Sequence, residues 1–250
     1  MKNLTNNTLV FFSKQLLCIT LLCLTFSCSY GERLKGNKIM AKEERTDIKN
    51  FDKIRISVGL TAEITQGNKE FIEVEAEQNL IQYLITEVKS NNTLYIHWKK
   101  GINIRKYKKA VVHITLKSLK EIHASSAGSI KSMNTIKTGN LTIDVSSASN
   151  VNLTVLAENI TIDASSAANV KLKGQCNNIT IDASSASEVE TKKLQSQNAI
   201  VDASSAAEIE VYALNAITAN ASSGGDIEYY GNPKNVSVKT SSGGDIDKKQ

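Results

Sequence analysis

The feature that most constrains this chain is a short motif that returns about every 19 residues. Each copy consists of two serines followed by two very small residues, with alternating apolar and polar residues on both sides. A fixed period of this length with two-residue alternation is typical of a β-solenoid, in which each repeat forms one coil and stacks on the next. The first serines of the pairs are Ser125, Ser146, Ser165, Ser184, Ser204, Ser222 and Ser241.

The alternation predicts which side chains of each coil point into the core. Leu141 and Ile143 of one repeat align with Ile160 and Ile162 of the next. Stacking such coils about 4.8 Å apart builds a thin, continuous core, which suits a chain with only 5% aromatic residues. We therefore predict an all-β fold, a right-handed parallel β-helix with two strands per coil of about 19 residues, because right-handed crossovers are the default for parallel strands. A further aliphatic column follows the serine pairs at Val151, Val170, Val189, Ile209, Ile227 and Ile246.

The polar residues of the repeat have a structural explanation. Small residues allow successive turns to stack closely and bend sharply, and serine hydroxyls bond turn amides. Equivalent serines without a paired base do not form a nucleophile, so we predict no catalytic residue in the turns. Asparagines form a second column, and stacked amides bond to one another in a parallel array. This column contains Asn140, Asn159, Asn178, Asn198 and Asn235, and Ala216 interrupts it.

Residues 1–27 have the composition of a secretory signal peptide. Lys2 and Lys14 precede an apolar run that ends at Ser27 and Cys28. A cysteine after a small residue resembles a bacterial lipobox, in which that cysteine becomes lipidated. We predict Cys28 as the lipidation site of an exported outer-membrane lipoprotein, on its periplasmic or surface face, and ordinary signal-peptidase cleavage near Ser27 is the alternative. Cys176 is then the remaining thiol, which leaves no internal disulfide.

The rest of the chain divides by its pattern. Residues 28–50 are polar and lack alternation, which predicts a tether. Residues 51–250 are predicted to form a single domain, with first strands or a cap in 51–119 and repeat coils in 120–250. The stretch NLIQYLITEV at residues 79–88 fits either a short helix or a bent strand.

The repeated turns resemble those of the head GIN domain family of bacterial auto-transporter adhesins. Turns in that family read like Ser-Gly-Ala-Gly, and here they read SSAG, SSAS, SSAA and SSGG. The segments FDKIRISVGLTAEITQG, EVEAEQNL, NNTLYIHW and ITLKSLKEIHASSAG are similar too, so the resemblance covers about residues 50–246. It implies a right-handed β-helix related in shape to pectin lyases, a role in adhesion and no catalytic residues. The chain departs from the family by using Ser or Ala where Gly, which adopts positive φ freely, is common.

One outward column of the coils carries negative charge. In a parallel stack its carboxylates would lie about 5 Å apart and repel each neighbour by roughly 3 kcal/mol at an effective dielectric of ~20. We predict that they are solvated or bonded to hydroxyls. A stripe that binds a cation such as calcium, or a basic partner, is the functional alternative, and no metal is assigned. Residues 124–250 contain no arginine, which weighs against lyase chemistry. The column consists of Asp144, Asp163, Asp182 and Asp202.

A second charged feature is the basic segment HWKKGINIRKYKK at residues 97–109. It fits a solvated hairpin, or a surface that pairs and stacks with phosphate-bearing envelope lipid or acidic polysaccharide. The predicted polyanion patch consists of Trp98, Lys99, Lys100, Arg105, Lys106, Lys108 and Lys109.

These observations predict an exported, lipid-anchored binding or adhesion module of the cell envelope, with no enzyme activity and no cofactor. Its expected partners are an envelope glycan or a surface protein, and the membrane through the lipid anchor. Nucleic acid is excluded as a partner by export. His97, His113 and His123 show no metal or triad spacing. A polysaccharide-active β-helix enzyme and a purely structural envelope scaffold are the alternatives.

Overall fold

Strands account for almost all regular structure of this chain. The computed structural model describes residues 32–250, so the predicted signal peptide and Cys28 lie outside the described residues. Within this range the helical elements are two short 3-10 turns, Ile81–Tyr83 and Ser90–Asn92. The strands are β1 (Glu32–Lys35), β2 (Met40–Glu44), β3 (Lys53–Ser57), β4 (Thr61–Gln66), β5 (Phe71–Glu77), β6 (Leu84–Lys89), β7 (Thr93–Trp98), β8 (Ile102–Lys106), β9 (Ala110–Leu116), β10 (Glu121–Ser125), β11 (Ser129–Val145), β12 (Asn150–Ala164), β13 (Asn169–Ala183), β14 (Glu188–Ala203), β15 (Glu208–Ala221), β16 (Asp226–Tyr230), β17 (Asn235–Thr240) and β18 (Asp245–Lys248).

Each repeat forms one coil because its alternation divides the side chains between the core and the surface. In β12 every second residue from Val151 to Ala157 is buried. Residues 158 and 159 are both exposed and form a corner, after which Ile160 returns to the core. A coil therefore has two extended faces, joined by this corner on one side and by a serine turn on the other.

The coils stack in parallel with their sequence repeats in register. Ile143 pairs with Ile162, which pairs with Ile181 and then with Val201. These side chains are at most 1% exposed and belong to one continuous core. The predicted all-β solenoid with coils of about 19 residues is confirmed.

The serine motifs form tight four-residue turns with an unusual backbone. In the turn that begins at Ser165, Ser166 and Ala167 have φ values of 54° and 58°. Positive φ at both central positions defines a type I′ turn, and the N–H of Ala168 donates to the carbonyl of Ser165 at 3.2 Å. The N–H of Ala167 instead donates to the carbonyl of Ser185 in the next coil at 3.0 Å. The turns are thus linked directly by backbone hydrogen bonds.

The small residues of the turn have separate tasks. The second and third residues are exposed, so Ser166 and Ala167 point to solvent. The fourth residue packs between coils, and Ala168 is 1% exposed. The fourth residue of the serine turns is therefore a small residue buried between coils, whereas positive φ limits the choice at the two exposed positions.

One coil turn escaped the sequence analysis because it lacks a serine pair. Ser57, Val58, Gly59 and Leu60 join β3 to β4 with φ values of 59° at Val58 and 68° at Gly59. The N–H of Gly59 donates to the carbonyl of Ser126 at 3.0 Å, so this turn stacks on the first serine turn. Coils therefore begin before residue 120, inside the region predicted as first strands or cap.

The next layer toward the N-terminus has an insertion in place of the turn. β7 pairs in parallel with β3, and β9 pairs in parallel with β4, so both continue the two faces of the solenoid. Between them, residues 99–109, here called the N-terminal insertion, extend away from the coil and contain β8. This insertion carries most of the predicted polyanion patch.

Antiparallel strands cover the N-terminal end of the core. β6 pairs antiparallel with β7 on one face, and β5 and then β2 add to β9 on the other. The ambiguous stretch at residues 79–88 forms a 3-10 turn followed by the start of β6.

Two further strands lie in the stretch assigned to a tether. β1 pairs in parallel with β8 of the insertion, and β2 pairs with β5. From Glu32 onward, the predicted tether of residues 28–50 is therefore replaced by strands that pack on the N-terminal end of the solenoid. Their polar composition hid them from the sequence pattern. β1 belongs to a separate two-stranded sheet with β8, and β2 is an edge strand of the large sheet, so few of their side chains are buried.

The asparagine column forms a hydrogen-bonded ladder. The Nδ2 group of each asparagine donates to the Oδ1 atom of the preceding one at 2.8–3.0 Å. The ladder is not interrupted at Ala216, because Asn215 takes that place next to a shift in register between β14 and β15. Its members are Asn140, Asn159, Asn178, Asn198 and Asn215.

The turn geometry predicts that Ala167→Gly stabilises the protein. A left-handed backbone costs a residue with a Cβ atom roughly 1–2 kcal/mol, and glycine returns roughly 0.5–1 kcal/mol of this through its greater freedom when unfolded. We expect the free energy of unfolding in urea to rise by about 0.5–1 kcal/mol.

The matched control is Ala164→Gly in the same coil. Ala164 is fully buried in β12 and has an ordinary strand backbone, so its replacement should lower the free energy of unfolding by about 1 kcal/mol. Equal destabilisation by both glycine substitutions would contradict the assigned turn.

Candidate functional site

Two charged surfaces of the solenoid carry the residues predicted as sites. The first is the aspartate stripe, formed by Asp144, Asp163, Asp182 and Asp202. Their backbones pair directly from strand to strand in β11 to β14, so the structure brings all of them into one straight column.

The crowding of carboxylates is greatest inside the stripe. Partial burial raises the pKa of the Asp163 carboxyl above its ordinary value, and the charges of Asp144 and Asp182 raise it further. Groups that donate hydrogen bonds stand at both ends. At one end His123 Nδ1 lies 2.9 Å from Asp144 Oδ2, and at the other Asn220 Nδ2 donates to Asp202 Oδ1 at 2.8 Å.

Basic residues extend the column beyond these ends. Arg55 lies next to His123 in register, and Lys239 lies next to Asn220. Within the part of the chain that the structure describes, no group of three or more His, Cys, Asp or Glu side chains is placed to hold a metal ion. The arrangement fits an exposed ladder with polar ends, and its predicted role as a partner stripe stays a prediction.

The second surface is the N-terminal insertion with its aromatic base. Trp98 is 7% exposed and meets Tyr107 edge-on, with ring centroids 5.6 Å apart. The Tyr107 hydroxyl donates to the carbonyl of Gly59 at 2.8 Å, which fixes the insertion to the first coil turn. Burial raises the pKa of the Tyr107 hydroxyl, so it stays protonated as a donor.

A buried carboxylate that the sequence analysis missed holds the insertion in place. Glu77 is 1% exposed, and it accepts hydrogen bonds from the backbone N–H of Lys38 at 2.7 Å and of Lys108 at 3.1 Å. It therefore joins the segment between β1 and β2 to the insertion. In the alternation of apolar and polar residues along β5, Glu77 falls on a surface position. The sequence therefore gives no indication that it holds the insertion in place.

Most cations of the insertion are available to a ligand. Five basic side chains are exposed, and within residues 32–250 none of them has a carboxylate oxygen within 4.0 Å: Lys99, Lys100, Arg105, Lys106 and Lys108.

Lys109 differs from the other cations of the predicted patch. It lies 2.8 Å from Glu75, which also contacts His113 at 3.1 Å. These partners lower the pKa of the Glu75 carboxyl. The charge of Lys109 is therefore offset within the protein, while Trp98 contributes to the patch through its ring at the base rather than as an exposed surface.

A cleft of about 510 Å³ separates the insertion from the first coil turns. Its walls are mainly apolar and aromatic, and the cations of the insertion follow or flank residues that line it. The lining residues are Val58, Gly59, Trp98, Gly101, Ile102, Asn103, Ile104, Tyr107 and Ser126.

The three histidines contact carboxylates, and the Cys176 thiol is buried. His97 contacts Glu87, His113 contacts Glu63 and Glu75, and His123 contacts Glu121 and Asp144. Burial raises the pKa of the Cys176 thiol to about 12, so it stays protonated at neutral pH.

Cys176 belongs to a column of small buried residues. It stacks between Ala157 and Ser196 at the corner of the coils. Cys176 therefore occupies the place of a small residue in this column.

The fold places this chain among the parallel β-solenoid proteins. It belongs to the family described as "Putative auto-transporter adhesin, head GIN domain", which matches residues 50–233. No curated protein of similar sequence is found. In residues 32–250, no helix has both the length and the apolar character that a membrane crossing needs.

Solved structures of low sequence identity share the fold. A "putative adhesin" from Bacteroides fragilis superposes with a TM-score of 0.80 at 22% identity, covering 86% of this chain and 100% of that one. A "putative lipid binding protein" from Parabacteroides distasonis gives 0.72 at 23% identity, covering 88% and 100%. A "putative adhesin" from Parabacteroides merdae gives 0.69 at 18% identity, covering 88% and 100%. At these identities the likeness establishes the fold.

The crowded stripe predicts that Asp163→Asn stabilises the protein at neutral pH. An acid whose pKa is raised in the folded state binds its proton more tightly there, so its contribution is favourable below its ordinary pKa and is lost as the pH rises through the folded value. Asparagine cannot ionise, so the free energy of unfolding of the variant should be higher than that of the wild type at pH 7. The difference should be less than ~1 kcal/mol because the site is exposed to solvent. The difference should vanish below about pH 3.5 in thermal unfolding across pH.

Glu121→Gln serves as a control of opposite sign. Lys53 and His123 lower the pKa of the Glu121 carboxyl, so its stabilising contribution is present at neutral pH and is lost as the pH falls through the lowered value. This variant should be less stable than the wild type at pH 7 and equal to it in acid. Destabilisation at pH 7 by Asp163→Asn as well as by Glu121→Gln would contradict repulsion within the stripe.

Proposed function

We propose that this chain is an exported, lipid-anchored binding module of the cell envelope, with Cys28 as the anchor and no catalytic activity. The solenoid serves as a rigid body that holds the asparagine ladder and the aspartate stripe away from the membrane. The turn column contains eight stacked turns, from Ser57–Leu60 to the turn that begins at Ser241. At the strand spacing of ~4.8 Å this column is roughly 34 Å long.

The observation that carries this proposal is the regular outer face of the coils. Asparagine and aspartate columns run parallel to each other along the same strands, with their members in register and one further exposed column between them, formed by Thr142, Thr161, Thr180 and Ile200. A flat array of hydrogen-bonding groups and charges suits binding to an extended partner, such as an envelope glycan or a surface protein. Membership of the adhesin family supports the same role.

The position of the first strand supports the anchor. β1 begins at Glu32 and packs on the N-terminal end of the solenoid. An anchor at Cys28 would attach the body at that end, so the coils would project away from the bilayer. Localisation to the outer membrane is part of this proposal.

A polysaccharide-active enzyme is the competing function. Cleavage of a glycan needs an acid and a base that converge on a groove. The histidines here each contact carboxylates, and the stripe lies on an exposed face. These contacts favour binding over cleavage.

The anchor is tested by Cys28→Ser in cells fed a labelled fatty acid. We expect the variant to lose the label and to leave the membrane fraction, because the acyl chains supply the attachment. Cys176→Ser is the matched control and should keep both the label and the location. A labelled Cys28→Ser protein would refute the lipoprotein assignment.

Binding is tested with the chain from residue 29 onward on an array of envelope glycans. We expect retention of one or more glycans without release of new reducing ends, and weaker retention by Asp163→Asn/Asp182→Asn. Release of reducing ends would establish the enzyme instead, and equal retention by the double variant would remove the stripe from the proposal.

A further inference from the structure

We propose that the N-terminal end of the solenoid docks onto an anionic phospholipid bilayer, with the cations of the insertion on headgroup phosphates and part of one lipid in the Trp98 cleft. This inference deepens the proposed function by naming the ligand of one surface. It rests on the proposed attachment of the chain near Cys28, but it is tested on protein that carries no lipid.

The path of the chain brings this surface close to the proposed anchor. β1 pairs in parallel with β8, and Glu32 lies opposite Ile102. Because Cys28 is four residues before Glu32, the intervening chain spans at most about 14 Å. The end of β1 nearest the anchor is thus beside Gly101 and the preceding Lys99 and Lys100.

The charge of the surface matches phosphate. The five exposed cations of the insertion lack carboxylate partners in the described chain, and Lys35 of β1, also exposed, lies opposite Lys106 in register. Residues 29–123 hold 18 Lys and Arg against 12 Asp and Glu, whereas residues 124–250 hold 10 against 13. The positive charge is therefore concentrated at the end where an anchored chain would meet the headgroups.

The cleft adds an apolar component that a simple charged surface lacks. Val58 is 54% exposed beside it, and Trp98, Ile104 and Tyr107 form its walls. Its volume of about 510 Å³ lies within the range of roughly 300–1,000 Å³ typical of small-molecule sites. Tryptophan and tyrosine are also the residues enriched where proteins meet the membrane interface.

These features favour a lipid over an acidic polysaccharide. Both ligands would pair with the cations, but only an amphiphile would also occupy an apolar cleft. A bilayer would also meet the surface directly if Cys28 is acylated, without any rearrangement of the coils.

The test measures binding of the chain from residue 29 onward to two kinds of vesicle. One is phosphatidylcholine alone, and the other contains about 30% phosphatidylglycerol, which gives a strong negative surface potential. We expect cosedimentation with the anionic vesicles alone, weakening as salt is added. Lys99→Gln/Lys100→Gln should bind about 25-fold more weakly, at about five-fold per cation.

The matched control is Lys173→Gln/Lys193→Gln. These two lysines are exposed and paired in register in the middle of the solenoid, so the control removes the same charge from another surface. It should bind like the wild type. Equal loss in both double variants would overturn the proposal, because it would show attraction by net charge, as would a wild type that ignores phosphatidylglycerol.

Trp98 is the only tryptophan of the chain, so its fluorescence reports on the cleft. Phosphatidylglycerol brominated in its acyl chains should quench Trp98, and inorganic phosphate at equal ionic strength should neither quench it nor displace the protein. Binding without quenching would refute a lipid in the cleft. Displacement by inorganic phosphate would reassign the site to a free anion, and tighter binding to polygalacturonate than to vesicles would reassign it to an acidic glycan.

Discussion

The structure depends on the backbone hydrogen bonds that join successive serine turns, from the turn that begins at Ser125 to the turn that begins at Ser222. The N–H of the third turn residue donates to the carbonyl of the second residue one coil further on, as Ala148 does to Ser166 and Ala167 to Ser185. This bond requires positive φ at two successive residues, which costs residues other than glycine roughly 1–2 kcal/mol each. Because the turns are stacked at strand spacing, the two faces of every coil stay in register, and the apolar columns form one core.

Much of this architecture could be predicted from the sequence, because a stacked fold repeats its constraints in every coil. The period of the serine pairs predicted the coil length, and the alternation around Ile143 and Ile162 predicted the inward columns. The aspartate stripe was predicted for the same reason, since residues at equal offsets must align in a parallel stack. Where the chain repeats itself, each repeat therefore indicates the same coil geometry independently of the others.

The features that could not be predicted from the sequence lie where the repeat is interrupted. The turn at Ser57–Leu60 has the backbone of its neighbours but not their residues, so only the structure reveals it. Asn215 replaces Ala216 in the asparagine ladder because the register shifts between β14 and β15. Glu77 is buried and accepts hydrogen bonds from backbone N–H groups of two distant segments. The alternation of apolar and polar residues gives no indication of such long-range contacts.

The two ends of the solenoid differ in a way that bears on function. At the N-terminal end, antiparallel strands cover the core, and the insertion presents cations beside an aromatic cleft. At the other end, Val236 and Val238 occupy core positions in register with Ile217 and Ala219, yet they are 48% and 50% exposed. The basic end and the acidic coils thus offer separate surfaces, and the ligands we propose for them are a membrane and an extended partner respectively.

Hydrogen exchange at the turn amides tests the central claim most directly. The side chains of Ser166 and Ala167 are both exposed, but the Ala167 N–H donates to the next coil, whereas within the described chain the Ser166 N–H donates to no acceptor. In two-dimensional NMR, the amide of Ala167 should exchange at least about a thousand-fold more slowly than that of Ser166, as expected for opening of ~4 kcal/mol. Exchange of both amides at the same fast rate would contradict a solenoid held together by its stacked turns.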